Sequence, residues 1–160
     1  MQKILVSACL VGEGVRYDGG HSRSPHPLIS RWADEGRLVA VCPEVLGSLP
    51  VPRPASEIQQ RVPLRIVTAD GVDVTPAFEK GAALAASTAL ACGIRVAILK
   101  EGSPSCGTTR VHDGRFTGRS IPGSGVTAAR LSARGIRVFS DAEIDLAAEY
   151  LAQTENDSRS

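Results

Sequence analysis

Four short apolar runs constrain the fold of this chain more than any other feature of its sequence. They lie at residues 3–8, 37–41, 94–99 and 136–139. Each run is dense enough in Val, Ile, Leu and Ala to be buried on both faces, which is typical of strands in a parallel sheet. Helix-forming stretches alternate with these runs, at residues 27–35, 75–92, 126–134 and 142–152.

This alternation predicts an α/β fold. Strand–helix–strand units with short connections favour a single open, mostly parallel sheet with helices on both faces, a Rossmann-like arrangement. A chain of 160 residues, 42% of them hydrophobic, is long enough to bury one core of this kind. We therefore expect one domain over residues 1–153 and a polar C-terminal tail over residues 154–160.

The connecting segments carry their own signals. Three prolines between residues 49 and 54 exclude a helix or a central strand there and predict a rigid loop. Asp70-Gly71 predicts a tight hairpin that joins residues 64–68 to residues 72–74. Thr75-Pro76 is a typical helix start, with a capping hydroxyl before a proline at the first helical position. A second small hairpin is expected around Asp113-Gly114.

Charge and composition exclude several kinds of partner. The net charge is only +1, no basic run is present, and the chain has one Trp, two Tyr and three Phe. These features do not support binding of polymeric nucleic acid. No apolar stretch approaches the roughly 20 residues of a membrane span, and the N-terminus does not resemble a signal peptide. The sequence predicts a cytoplasmic protein, whose cysteines stay reduced.

Three of the four cysteines follow predicted strands directly. Cys9 comes after the first strand, Cys42 ends the second, and Cys106 lies in the loop after the third. Because parallel strands end at the same edge of a sheet, we expect these three thiols to converge there. Cys92 is different, since its spacing from Ala85 and Ala89 predicts a packed helix face.

The converging thiols leave the identity of a bound metal open. A structural zinc takes four protein ligands, and His21, His26 or His112 could complete such a set. A 4Fe-4S cluster takes one ligand per iron, so three thiolates would leave one iron open to a substrate.

Two readings without a catalytic cluster also stay open. Gly12 to Gly20 could form the phosphate loop of a metal-stabilised nucleotide-binding module without catalytic activity, although the third glycine of the G-x-G-x-x-G pattern is missing. Alternatively, Cys106 could act as a nucleophile with His112 or His26 as its base.

Five segments carry a family resemblance. They are Ser7-Ala8-Cys9-Leu10, Arg16-Tyr17-Asp18-Gly19, Cys42-Pro43-Glu44, residues 49–54 and residues 100–107. In this order, and over nearly the whole chain, they resemble the thiouracil desulfidases, a group long catalogued as a domain of unknown function. The combination of Cys-Pro-Glu with Ser-Pro-Ser-Cys-Gly makes the resemblance specific.

The resemblance implies a 4Fe-4S cluster on Cys9, Cys42 and Cys106, with one open iron that binds a thiocarbonyl sulfur. It implies that water then replaces sulfur at carbon without net redox chemistry, on a small thiolated base or nucleoside. The family's acid–base residues correspond to Glu44 and Ser103. Many relatives carry a further cysteine where this chain has Val15, which argues against a fourth thiolate here.

Four more polar residues lie in the matching segments. Tyr17 and Asp18 belong to the Gly-rich loop, where they could bind the substrate or hold the loop. Arg53 could bind an anionic group or a carbonyl oxygen, and Lys100 could offset the negative charge of a cluster. We include all four as candidate substrate-binding residues.

Overall fold

The computed structural model describes residues 1–157 and confirms the predicted α/β architecture. In chain order its elements are β1 (Ile4–Ser7), a 3₁₀ turn (Ala8–Val11), α1 (Pro27–Asp34), β2 (Leu38–Val41), α2 (Pro43–Leu46), β3 (Ser56–Arg61), β4 (Leu64–Thr68), α3 (Thr75–Ala91), β5 (Val96–Leu99), β6 (Arg110–His112), β7 (Ser120–Pro122), α4 (Val126–Ala133), β8 (Arg137–Ser140) and α5 (Ile144–Asp157). β2, β1, β5 and β8 form one parallel sheet in that order.

Helices cover both faces of this sheet, because its strands are apolar on both sides. Ile4 and Val6 of β1 pack in a cluster with residues of α1 and α5. Leu5, between them, points into a second cluster, with residues of α3 and α4. The same alternation in β5 gives each face its own core, so the sheet is the central layer of three.

The strand order creates a crevice at one edge of the sheet. From β1 the chain moves outward to β2, and it then returns past β1 to form β5 and β8. Neighbouring connections that leave a sheet in opposite directions open a gap beyond the carboxyl ends of the strands, where ligands of open α/β sheets bind. The loops after β1, β2 and β5 therefore surround this gap.

The predicted hairpin at Asp70-Gly71 is only partly correct. A tight turn is present, with the N–H of Gly71 donating to the carbonyl of Thr68 at 2.9 Å. However, β4 pairs along its length with β3, a strand that the sequence analysis missed. With the segment that follows it, β4 forms one isolated bridge, between Val67 and Asp73. β3 reads Ser-Glu-Ile-Gln-Gln-Arg, a mostly polar sequence with no alternation that would indicate a strand.

Two predictions about α3 were wrong. Thr75 does not cap the helix, because its hydroxyl accepts a hydrogen bond from the N–H of Ile66 at 2.8 Å and the cap residue is Val74. Cys92 is exposed rather than packed. It follows the last helical residue, so it lies beyond the face on which Ala85 and Ala89 are fully buried.

The C-terminal boundary also differs from the prediction. α5 continues to Asp157, and the hydroxyl of Thr154 donates to the side-chain oxygen of Gln2 at 3.0 Å. Arg37 donates to the Glu155 carboxylate at 2.6 Å. Residues 154–157 are therefore helix rather than tail, and the last three tail residues lie outside the described part of the chain. Within residues 1–157, none of the helices is both long and apolar enough to cross a membrane.

Candidate functional site

A cavity of about 490 Å³ lies at the carboxyl edge of the central sheet. Eight of the nine candidate residues from the sequence line it: Cys9, Tyr17, Cys42, Glu44, Arg53, Lys100, Ser103 and Cys106. The ninth, Asp18, is not part of the lining. Its carboxylate instead accepts the N–H of Gly20 at 2.9 Å and pairs with Arg16 at 3.4 Å, so it holds the Gly-rich loop.

The three predicted thiols meet in this cavity, and each is placed by a different element. Cys9 lies on the 3₁₀ turn directly after β1, Cys42 precedes α2 at the end of β2, and Cys106 follows β5. Cys9 and Cys106 are buried and Cys42 is partly buried. The convergence inferred from strand order is therefore present in the structure.

Burial and proximity act together on these thiols. Burial is the main cause that raises the pKa of all three, and it raises that of Cys106 to about 12. The charges of Glu44, Cys42 and Cys9 contribute to this rise at Cys106. Removal of the three protons would place three like charges in a poorly solvated space, which requires a compensating cationic group.

The protein supplies some stabilisation for each deprotonated sulfur. The backbone N–H of Val45 donates toward Cys42, and the hydroxyl of Ser7 donates toward Cys106. The positive charge of Lys100 lowers the pKa of Cys9. Hydrogen bonds to sulfur and nearby positive charge are the features that tune protein-bound iron–sulfur clusters.

Cysteine thiolates are the usual protein ligands of iron–sulfur clusters. Within residues 1–157, no three His, Cys, Asp or Glu side chains are grouped closely enough to hold one metal ion. In a cluster each thiolate binds a different iron, so the sulfurs share a cavity without sharing one point. Cys9, Cys42 and Cys106 share a cavity in this way, and we judge that they fit a cluster.

Glu44 is held in the cavity wall by Arg53. The Arg53 Nε donates to Glu44 Oε1 at 3.0 Å, and Nη1 and Nη2 donate to the carbonyls of Pro50 and Val15 at 3.1 and 2.8 Å. The backbone N–H of Arg53 donates to the carbonyl of Tyr17 at 2.7 Å. We call these contacts the Arg53 network. In these contacts the Arg53 guanidinium donates to groups of the protein rather than to a ligand.

Burial raises the pKa of Glu44, and the adjacent Arg53 guanidinium acts in the opposite direction. The Glu44 side chain is 15% exposed. Within the described residues Oε2 has no hydrogen-bond partner, so this oxygen is available to a molecule in the cavity.

Glycines allow α2, which carries Glu44, to pack closely against α3. A Cβ atom on Gly81 would lie 1.8 Å from the carbonyl oxygen of Pro43, and one on Gly47 would lie 2.0 Å from that of Ala77. Both distances are far below van der Waals contact. The absence of side chains at these two positions therefore sets the position of Cys42 and Glu44.

The loop that carries Cys106 is organised by Ser103. Its hydroxyl accepts the N–H of Cys106 at 2.6 Å, and its carbonyl accepts the N–H of Gly107 at 2.9 Å. The hydroxyl proton of Ser103 is not used in either contact. Gly125 backs the loop, because a Cβ there would lie 2.4 Å from the carbonyl oxygen of Ser105.

Glu101, which the sequence analysis missed, forms several hydrogen bonds that hold the segment after Cys106 in place. Its Oε1 accepts the N–H groups of Gly102, Thr108, Thr109 and Arg110 at 2.7 to 3.2 Å. Its Oε2 accepts the hydroxyls of Thr108 and Thr109 at 2.6 and 3.0 Å. Burial acts to raise the pKa of Glu101, but these hydrogen bonds outweigh it and lower that pKa to about 2. We call these contacts the Glu101 network.

Several placements bear on the alternative readings. His26 caps α1 and contacts Asp145, and only His112 of the three histidines lines the cavity. The raised pKa of Cys106 is opposite to that of an activated nucleophile. The Gly-rich loop closes on itself, with the N–H of Arg16 donating to the carbonyl of Gly20 at 3.1 Å, so that amide is not free for a phosphate.

Three further lining residues are two of the sequence candidates, Tyr17 and Lys100, and one residue that gave no sequence signal, Glu57. Tyr17 is 46% exposed at the rim of the cavity, and Lys100 pairs with Asp141 at 3.5 Å. Glu57 is buried on β3 and lines the same cavity. Its role could not be inferred from sequence because β3 itself was not recognised.

Comparisons with known proteins identify the family of this chain. The family model described as 2-thiouracil desulfurase matches residues 4–143. The protein YbbK of Bacillus subtilis (strain 168), named as uncharacterized, is 42% identical over 149 residues, which cover 89% of this chain and 97% of that protein. A solved structure named 4Fe-4S-dependent thiouracil desulfidase TudS is 48% identical, with a TM-score of 0.92, over 96% of this chain and 99% of that one. The chain belongs to the 2-thiouracil desulfurase family.

Proposed function

We propose that this chain is a 4Fe-4S-dependent desulfidase that converts the C=S group of a thiolated nucleobase such as thiouracil to C=O. The observation that carries the proposal is the convergence of Cys9, Cys42 and Cys106 on one cavity that also contains the buried carboxylate of Glu44. Support comes from the family match and from the 48% identical structure that is named for this activity.

In the proposed reaction one water molecule replaces sulfur. The oxygen atom of water bonds to carbon, the carbon–sulfur bond breaks, and sulfur leaves with both hydrogen atoms as hydrogen sulfide. No electron is gained or lost, so no external reductant is needed. Cys9, Cys42 and Cys106 would hold the cluster, which would supply Lewis-acid chemistry at an iron without a protein ligand, where the thiocarbonyl sulfur would bind.

Glu44 is the proposed general base. Its Oε2 is unpartnered within the described residues, and its raised pKa makes the ionised carboxylate a stronger proton acceptor than an ordinary glutamate. Arg53 holds Oε1, so the free oxygen keeps a fixed direction. Ser103 is the proposed proton donor or orienting group, because its hydroxyl oxygen is fixed by Cys106 N–H while its proton stays available.

The other candidate residues have supporting proposed roles. We propose that Lys100 offsets cluster charge, since it lowers the pKa of Cys9 across the cavity. Tyr17 lines the cavity, and we propose that it contacts the substrate. Arg53 and Asp18 would act by holding Glu44 and the Gly-rich loop. We propose a cytoplasmic location, where cysteine thiols stay reduced and can act as ligands.

The test is anaerobic reconstitution of wild type and of Cys9→Ser, Cys42→Ser, Cys106→Ser and Cys92→Ser variants. Iron, acid-labile sulfide and the visible spectrum are measured, followed by sulfide release from 2-thiouracil. We expect wild type and Cys92→Ser to hold a 4Fe-4S cluster and release sulfide, and the other three variants to do neither. Zinc or no metal in wild type would contradict the proposal and favour the metal-stabilised nucleotide-binding module or the cysteine nucleophile.

A further inference from the structure

Glu57 is a buried carboxylate in the cavity wall that the proposed chemistry does not use. Only 7% of the residue is exposed. Its Oε1 accepts the N–H groups of Gly114 and Phe116 at 3.0 and 3.2 Å. Its Oε2 has no partner within residues 1–157, and it is not sealed from solvent. Glu57 lines the cavity, and Oε2 is the acceptor that it has left for a molecule bound there.

Within residues 1–157, Glu57 forms no ion pair. The cations that line the same cavity pair with other carboxylates: Arg16 with Asp18, Arg53 with Glu44 and Lys100 with Asp141. A buried carboxylate without a cation and with an unused acceptor is costly unless another molecule donates to it. An ionised carboxylate can only accept hydrogen bonds, so the ligand it selects must carry a donor.

We propose that Glu57 is a substrate-binding residue that accepts a ring N–H of a cyclic thioamide. This inference rests on the proposed function, and it deepens that function by defining the substrate class. In 2-thiouracil the thiocarbonyl carbon lies between two ring N–H groups. A carboxylate that accepts one of them orients the ring in the cavity and discriminates against rings in which that nitrogen is substituted.

The surroundings of Glu57 fix its direction. Gly114 approaches β3 so closely that a Cβ on it would lie 2.4 Å from the carbonyl oxygen of Ile58. The two N–H groups on Oε1 therefore come from a segment with little room to move. In a Glu57→Gln variant, the amide oxygen can keep these two contacts while the free position becomes an NH₂ donor. The variant changes recognition with little change in shape.

The experiment compares reconstituted wild type and Glu57→Gln on 2-thiouracil, its two N-methyl isomers and its 5-methyl derivative. Glu79→Gln, an exposed carboxylate on α3, is the control. We expect Glu57→Gln to raise KM about 10-fold or more with kcat nearly unchanged, as for loss of one charge-assisted hydrogen bond. Methylation of the recognised nitrogen should raise the wild-type KM similarly, and it should add little in Glu57→Gln. The 5-methyl derivative, which keeps both N–H groups, should behave like 2-thiouracil.

Unchanged KM in Glu57→Gln, or no KM penalty for either N-methyl isomer on wild type, would overturn the inference. If the variant fails to fold by its thermal transition, the wild-type methyl series alone decides. If wild type releases no sulfide from any compound, the proposed function fails. The role of Glu57 is then tested separately, by calorimetry of the binding of uracil and its N-methyl isomers to wild type and Glu57→Gln.

Discussion

The Arg53 and Glu101 networks hold two walls of one cavity with opposite hydrogen-bonding roles. Arg53 donates to three acceptors and fixes Glu44, which we propose as the base. Glu101 accepts from four backbone N–H groups and two hydroxyls, and it fixes the chain beyond Cys106 without contact to a proposed catalytic group. The Arg53 network therefore fixes a proposed catalytic group, whereas the Glu101 network only orders a loop.

The largest effect should follow loss of the Arg53 guanidinium. Arg53→Met leaves the buried Glu44 without its partner, and removal of one member of a buried pair costs about 3–5 kcal/mol. We expect a loss of that size in the free energy of unfolding, measured with urea, together with loss of sulfide release. Arg53→Met combined with Glu44→Gln should recover part of the stability but no activity. If the free energy of unfolding of Arg53→Met lies within about 0.5 kcal/mol of wild type, Arg53 and Glu44 are not energetically coupled.

A second prediction concerns the glycine contact behind the same wall. In an exposed helix, Gly→Ala stabilises by about 1 kcal/mol. Gly81→Ala should instead destabilise by about 1–3 kcal/mol, because the new Cβ overlaps the Pro43 carbonyl oxygen. The cluster content of Gly81→Ala after reconstitution should also fall, because α2 moves away from α3. Ser87→Ala, on the exposed side of the same helix, is the matched control; equal behaviour of the two variants would contradict the close-packing argument.

The Glu101 network should give a smaller and pH-dependent effect. Glu101→Gln should cost about 1–2 kcal/mol at neutral pH, since hydrogen bonds to a charged acceptor weaken. The folded pKa of about 2 lies below the ordinary 4.5, so this stabilisation is present above about pH 5 and is lost as pH falls toward 2. Urea unfolding between pH 7 and 2.5 should show the gap between wild type and variant closing. A constant gap would exclude this carboxylate as the cause.

The smallest effect is expected at Cys92, which belongs to neither wall. It is exposed after the end of α3, so Cys92→Ala should change the free energy of unfolding by less than about 0.5 kcal/mol. Thermal unfolding and iron content measure this directly. If the free energy of unfolding falls by more than about 2 kcal/mol, Cys92 is packed against the core as its spacing predicted, because truncation of a large buried side chain has a cost of that size.

Local sequence patterns were reliable where one element dictates its own structure. The apolar runs of β1 and β5 are buried on both faces in any parallel sheet, so composition alone predicted them. β3 was missed because its polar sequence forms a strand only by pairing with β4. Thr75 has a capping pattern, but its hydroxyl is taken by Ile66 N–H from a strand nine residues earlier.

The fold class, the family resemblance and the convergence of Cys9, Cys42 and Cys106 could all be predicted from the sequence. The cysteines converge because they follow strands that end at the same edge of a parallel sheet. The structure was needed to show that Arg53 contacts Glu44, that Glu101 orders the loop and that Glu57 lines the cavity. These contacts join segments distant in sequence or depend on loop geometry, and a side chain's hydrogen-bond partner has no periodicity that a sequence can display. The sequence pattern therefore predicts where the cavity lies, whereas the packing of distant segments decides which side chains contact one another in its walls.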